Sequence, residues 1–352
     1  MITARRAAAI GVALAMLASC GNGEDEDRGD EGRDATSSLD SSPDTATTAA
    51  PTSTTSPAPT VAAAPSAGCG TANEAPTGAQ ALDWDGTERT YLLAVPASYE
   101  PGVPAPLLFD LHGLAEPASV QASYSQLPAK AGERGYVVVE PQGTGTPPMW
   151  VLPPFESVDD TGFITALLDH LEATLCIDTS RVFVDGISNG AGMAGGLSCV
   201  LADRIAAVAM VAGPNTYRPC TEQPAVPLVA FHGTEDSVVP YEGGALFEDF
   251  PDRLRLLRAL QSVEVQSAPA AAAGWAERNG CEPTPSEEQV TDHVRRLAYG
   301  GCEDEVVLYV VEGAGHTWPG ATAGLPTSIA GPTTTEISAS DLLLDFFDAN
   351  PL

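Results

Sequence analysis

From Cys69 onward the chain alternates between two hydrophobic periods, and that alternation constrains its fold more than any other feature. Short β-branched and apolar runs recur at Tyr91–Val95, Pro106–His112, Tyr136–Glu140, Arg181–Ile187, Ile205–Ala212, Pro227–His232 and Val306–Val311. Each ends in a glycine-bearing or polar turn. Helical periods lie between several of them: Phe163, Leu167, Leu168 and Leu171 share one face, and so do Met193, Leu197, Val200 and Leu201. Strand–helix alternation predicts an α/β fold, a mostly parallel central sheet with helices on both faces. Ligands of such sheets bind outside the carboxyl ends of the strands. No repeat and no composition shift divides residues 69–352, so one domain is expected there.

The chain ahead of Cys69 has a different character. Arg5 and Arg6 precede an apolar stretch from Ala7 to Leu17, too short to span a bilayer and suited to a secretory signal. It ends in Leu17-Ala18-Ser19-Cys20, which resembles a bacterial lipobox with Cys20 as the lipidated residue. Residues 1–19 are therefore expected to be a lipoprotein signal peptide. Residues 20–68 then form an acidic and Thr/Ser/Pro-rich stalk that cannot bury enough apolar surface to order itself. The expected location is the outer face of a bacterial membrane, held by the lipid, or the medium.

Charge narrows the partners. Sixteen Lys and Arg against 47 Asp and Glu give a formal net charge of −31, and Lys130 is the lone lysine. Such a chain lacks the basic face that a nucleic-acid or anionic-lipid binder needs. Contact with a membrane is expected only through the anchor, and the chain is expected to act as a monomer. Of the seven cysteines, removing Cys20 leaves Cys69, Cys176, Cys199, Cys220, Cys281 and Cys302. An even number in an exported chain favours disulfides. Sequence neighbours suggest Cys199–Cys220 and Cys281–Cys302, which leaves Cys69–Cys176. No Cys/His spacing suggests a metal.

The chemistry gathers at strand ends. Gly186-Ile187-Ser188-Asn189-Gly190 matches G-x-S-x-G between an apolar strand and a helical period, the strand–turn–helix context that exposes a nucleophilic serine. A serine needs a base, and the base an orienting acid. Of five histidines, His316 lies in a glycine-flanked loop after the last strong strand and is the expected base. Asp236, in the loop after Pro227–His232, is the expected acid, with Glu235 as its rival. The order Ser188, Asp236, His316 is that of α/β-hydrolases. Oxyanion stabilisation needs two backbone N–H groups; Asn189 and Leu114 are placed to supply them. Trp150, Trp318 and His112 are candidates for the substrate wall, each with packing as the competing role.

These residues together resemble the secreted polyhydroxybutyrate depolymerase and feruloyl esterase group of α/β-hydrolases, particularly its lipoprotein-type members. The resemblance rests on Leu111-His112-Gly113, on Asp159-Asp160 before a helix beginning near Gly162, and on the serine pentapeptide. It continues through Phe231-His232-Gly233-Thr234-Glu235-Asp236, Val239-Pro240-Tyr241, Asn279-Gly280-Cys281 and Gly315-His316-Thr317-Trp318-Pro319-Gly320, covering about residues 85–347. It implies an α/β-hydrolase fold, no metal or organic cofactor, and acyl-enzyme hydrolysis of a polymeric or oligomeric ester. Polyhydroxyalkanoate and feruloylated or acetylated polysaccharide are the implied substrates. The loop after His112-Gly113 departs from the group in reading Leu114-Ala115-Glu116. An acyltransferase on the same fold and a displayed binding module are the other classes these residues admit.

Overall fold

The computed structural model describes residues 63–71, 75–152, 158–215, 224–248 and 263–352. The expectations for the signal peptide, for Cys20, for most of the stalk and for Cys220 fall outside them. Among the described residues ten strands form one sheet. In chain order they are β1 (Gly78–Trp84), β2 (Thr87–Ala94), β3 (Ala105–Leu111), β4 (Val137–Pro141), β5 (Ile177–Ile187), β6 (Ala207–Val211) and β7 (Leu228–Gly233). A two-stranded ribbon, β8 (Gly244–Ala245) with β9 (Glu264–Val265), stands apart, and β10 (Ser286–Thr291), β11 (Val294–Tyr299) and β12 (Val306–Val311) complete the sheet. Its spatial order is β1-β2-β4-β3-β5-β6-β7-β12-β11-β10.

The six strands from β4 to β12 run parallel, and antiparallel pairing carries the sheet outward on each side. The seven apolar runs all become strands, but β1, β10 and β11 do not follow from apolar runs. The physical reason is visible in β10, Ser-Glu-Glu-Gln-Val-Thr, which is almost wholly exposed. An edge strand with solvent on both faces has no hydrophobic period to read.

Period-two alternation sorts the central strands between two cores. Leu107, Phe109 and Leu111 face one side and Leu108 the other. The first core is closed by Phe163, Leu167 and Leu171 of α3 (Asp160–Thr174), Met193 and Leu197 of α4 (Asn189–Val200), and Trp275 of α5 (Ala268–Arg278). The second is closed by Tyr124 of α1 (Ala118–Ser125), Leu127 of α2 (Leu127–Glu133), and Leu343, Leu344 and Phe347 of α6 (Ala339–Ala349). Helices thus cover both faces. One expected core position fails: Val200, at the end of α4, is 55% exposed.

Ala63–Gly68, expected to belong to the stalk, is part of the folded body. Pro65 bridges to Asp178, the Ser66 N–H donates to Ile177 O at 2.8 Å, and the Ser66 hydroxyl donates to Leu175 O at 2.8 Å. The boundary near residue 68 therefore moves N-terminal to this segment. Cys69–Cys176 fastens it, and Cys281–Cys302 ties the turn after α5 to the loop after β11. Cys199 is also disulfide-bonded.

Beneath the carboxyl ends of β4, β3 and β5 lies a row of buried acids. Glu140, Asp110 and Asp185 occupy one register line across the three strands. Gln121 Nε2 and Ser125 Oγ donate to Asp110, whereas Glu140 Oε1 has no hydrogen-bond partner among the described residues. Burial, and then the Asp110 charge, pushes the Glu140 carboxyl up to about 9. The folded state therefore holds a proton that the unfolded chain, with an ordinary value near 4.5, releases earlier. Stability from this group is full below about pH 4.5 and is lost as the pH rises toward 9, by up to roughly 1.4 kcal/mol per pH unit for one proton. Thermal melts from pH 5 to 9 are expected to fall for the parent chain and to fall less steeply for Glu140→Gln.

Candidate active site

Ser188 closes β5 and caps α4 with φ 58° and ψ −117°, a conformation that L-residues rarely adopt. The close packing around it explains the flanking glycines. A Cβ on Gly186 would lie 2.5 Å from the Gly190 carbonyl carbon, and one on Gly190 would lie 2.2 Å from Leu111 O. Only glycine lets the helix start this close to the strands, and the result is a serine thrust above the sheet at the head of α4.

Asp236 follows β7 and His316 follows β12, parallel neighbours in the sheet, so the two loops meet. His316 Nδ1 lies 2.8 Å from Asp236 Oδ2. Asp236 Oδ1 accepts the Val238 and Val239 N–H groups, each at 2.9 Å, and His232 Nε2 stands 3.3 Å from Oδ2. Burial alone would raise the Asp236 carboxyl, but the His316 charge and the hydrogen bonds from His232 and His316 outweigh it. The carboxyl is held well below the usual range. For His316, burial opposes the charged ring, whereas Asp236, and then Glu116, raise it above its ordinary value. Glu235, the rival acid, is exposed.

Ser188 and His316 line one cavity of about 30 Å³ together with Gly113, Leu114, Glu116, Tyr124, Ile187 and Leu325. One wall is the turn after β3, where Ala115 takes φ 66°. The Ala115 N–H donates to Pro148 O, and the Leu114 side chain packs near Val238, Val239 and Phe247. Among the described residues neither the Leu114 nor the Asn189 N–H has an acceptor. Free N–H groups at a turn and at a helix N-terminus suit a developing negative charge. No group of His, Cys, Asp and Glu among the described residues is arranged to hold a metal ion.

No family model matches the chain. A feruloyl esterase D of Neurospora crassa is 28% identical over 261 residues, covering 71% of this chain and 81% of that protein. A bifunctional acetylxylan esterase/xylanase of Neocallimastix patriciarum is 31% identical over 157 residues, 45% of this chain and 23% of that much longer protein. Among solved structures, an acetyl xylan esterase from Aspergillus awamori superposes with a TM-score of 0.53 at 14% identity, over 77% of this chain and 99% of its own. The chain is thus similar to feruloyl and acetylxylan esterases, it is a carboxylic ester hydrolase, and its fold is that of the α/β-hydrolases.

In this α/β-hydrolase three residues expected on the substrate wall are supports instead. His112 is fully buried; its Nδ1 lies 2.7 Å from Gly113 O and its Nε2 accepts the Gly143 N–H at 2.9 Å. Burial lowers its pKa to about 4, so the ring stays neutral and pins two loops together. Trp150, 1% exposed, donates from Nε1 to His112 O at 2.9 Å. Trp318, also 1% exposed, donates from Nε1 to the Ser340 hydroxyl and from its backbone to the Tyr124 hydroxyl. Aromatic residues beside a motif invite assignment to the pocket, but here the polar edge of each indole satisfies an interior acceptor.

Other site residues were not legible as such. His232 donates from Nε2 to Val239 O at 2.8 Å and stiffens the loop that presents Asp236. Tyr124 and Leu325 reach the cavity from α1 and from the long segment after Trp318, and no motif marks either. The Asn189 side chain has a second task. It accepts the Trp150 N–H at 2.7 Å and donates to Trp150 O at 3.1 Å, locking the nucleophile turn to the loop after β4.

Proposed function

We propose that this ester hydrolase works through a Ser188 acyl-enzyme and that the acyl group it removes is acetyl, carried on a polysaccharide. The observation that supports the route is the His316–Asp236 pair at 2.8 Å opening into the same cavity as a strained Ser188. His316 takes the Ser188 proton as the hydroxyl oxygen attacks the ester carbonyl, and Asp236 holds the ring and its positive charge. The Leu114 and Asn189 N–H groups receive the oxyanion. His316 then gives the proton to the departing alcohol oxygen, and water repeats the sequence to release the acid and free serine.

The size of the cavity supports the acyl group. Ile187, Tyr124 and Leu325 crowd the cavity beside Ser188, which favours a short acyl group over a phenylpropenoyl one. Acetylxylan and feruloyl esters are the substrates named for the relatives, and of these the acetyl ester fits the wall this chain presents. Export is part of the same proposal: the Cys69–Cys176 and Cys281–Cys302 bridges suit an oxidising compartment, and Cys20 supplies the anchor. Acetylated xylo-oligosaccharide and methyl ferulate, offered together, are expected to give acetate at least about tenfold faster than ferulate, because a misfitted acyl group forfeits transition-state binding. Equal rates, or ferulate release ahead of acetate, would overturn the acetyl reading while leaving the esterase intact.

A further inference from the structure

We propose that Glu116 is a positioning residue for hydrolysis at Ser188, tying down the oxyanion turn through the Gly113 N–H and setting a second carboxylate against the His316 imidazolium. The inference rests on the ester-hydrolase reading above and adds to it a residue outside the triad.

Glu116 is 8% exposed and lines the cavity that holds Ser188 and His316. Its Oε2 accepts the Gly113 N–H at 3.1 Å, while its own N–H donates to Gly113 O at 3.3 Å. These two bonds clasp the residues between them, Leu114 and the left-handed Ala115, so that the Leu114 N–H is not spent on closing the turn. The fit is tight: a Cβ on Gly113 would stand 3.0 Å from Glu116 Oε2. A mobile surface glutamate would do none of this.

The charge has its own consequence. The titratable groups facing Glu116 are His316 across the cavity, Asp110 behind it on β3, and the Tyr124 phenol. Among the described residues no Lys or Arg forms an ion pair with it. Burial raises the Glu116 carboxyl, the Gly113 N–H and His316 draw it back, and Asp110 raises it again. The imidazolium is therefore the positive charge that best balances it. Asp236 holds His316 from Nδ1, and Glu116 adds attraction from the cavity side. Stabilising the imidazolium helps when His316 has taken the serine proton, but it also keeps the free enzyme's base protonated to higher pH.

The test compares kcat/KM against pH for the parent, Glu116→Gln and Glu116→Ala, each normalised to active sites titrated with a fluorophosphonate and checked by near-UV circular dichroism. Glutamine keeps an oxygen for the Gly113 N–H and removes the charge. Its acid limb is expected to move down by roughly half a pH unit or more, with KM changed less than about threefold. Alanine loses the clasp as well, and its plateau kcat is expected to fall about tenfold or more below that of glutamine, the range for a misplaced oxyanion donor. An unmoved acid limb in Glu116→Gln, or equal plateaus in the two variants, would overturn the proposal. A parent chain inert toward every ester would instead fail the hydrolase reading, so the two failures are told apart by the parent alone.

Discussion

Ser188→Ala is expected to lower kcat/KM for an acetyl ester by about 10⁴-fold or more, because nucleophile, base and acid act as a unit and what survives comes from the oxyanion donors and binding. Folding should not suffer. The serine Cβ already occupies the position, so alanine inherits the same backbone at φ 58° and loses one hydroxyl. Circular dichroism and the denaturation midpoint are expected to match the parent. Ser188→Gly sharpens the argument, since glycine adopts this backbone freely. It should be equally inactive yet more stable by about 0.5–1 kcal/mol, exposing the strain held at the elbow. A stabilised, dead glycine variant beside a dead alanine variant would separate catalytic loss from structural damage. Turnover surviving in either would mean that another group attacks the ester.

The same elbow shows why part of the molecule was legible in the sequence. Gly186, Ser188 and Gly190 each answer a steric demand that only those residue types meet, so the pattern carries its own geometry. Leu107 to Leu111 and Leu167 to Leu171 likewise write their burial as periods of two and about 3.6. Legibility fails where a contact joins segments with no period in common. Glu116 and Gly113 are close in sequence, but their bond exists because Ala115 turns left-handed. His232, Tyr124 and Leu325 come to the cavity from three separate elements. Trp150 and Trp318 misled for the opposite reason: their place in the motif neighbourhood was plain, but the direction of each ring was set by a distant acceptor, His112 O and the Ser340 hydroxyl.

That dependence on distant partners gives the largest stability effect expected outside the site. Arg89 on β2 and Asp160 at the head of α3 form a buried pair at 2.7 Å, with side chains 5% and 0% exposed. The guanidinium also lies 3.9 Å from the centre of the Phe163 ring and donates to Gln142 O, while Asp160 Oδ2 accepts the Val151 N–H. Arg89 thus holds both ends of the stretch that carries Trp150, and through Trp150 the Asn189 turn. Arg89→Met fills similar space but strands a carboxylate, and a buried pair broken on one side costs about 3–5 kcal/mol. Burial raises the Asp160 carboxyl even with Arg89 present, and the Val151 N–H and Arg89 draw it back. Without Arg89 it should take up a proton more readily in the fold than in the unfolded chain. The variant's deficit is therefore smallest at low pH and grows as the pH rises through the raised value. Urea denaturation at pH 5 and pH 8 should show that trend, and adding Asp160→Asn should recover part of the loss at pH 8 only. A deficit that is the same at both pH values would place the cost in packing against Phe163 rather than in the orphaned charge.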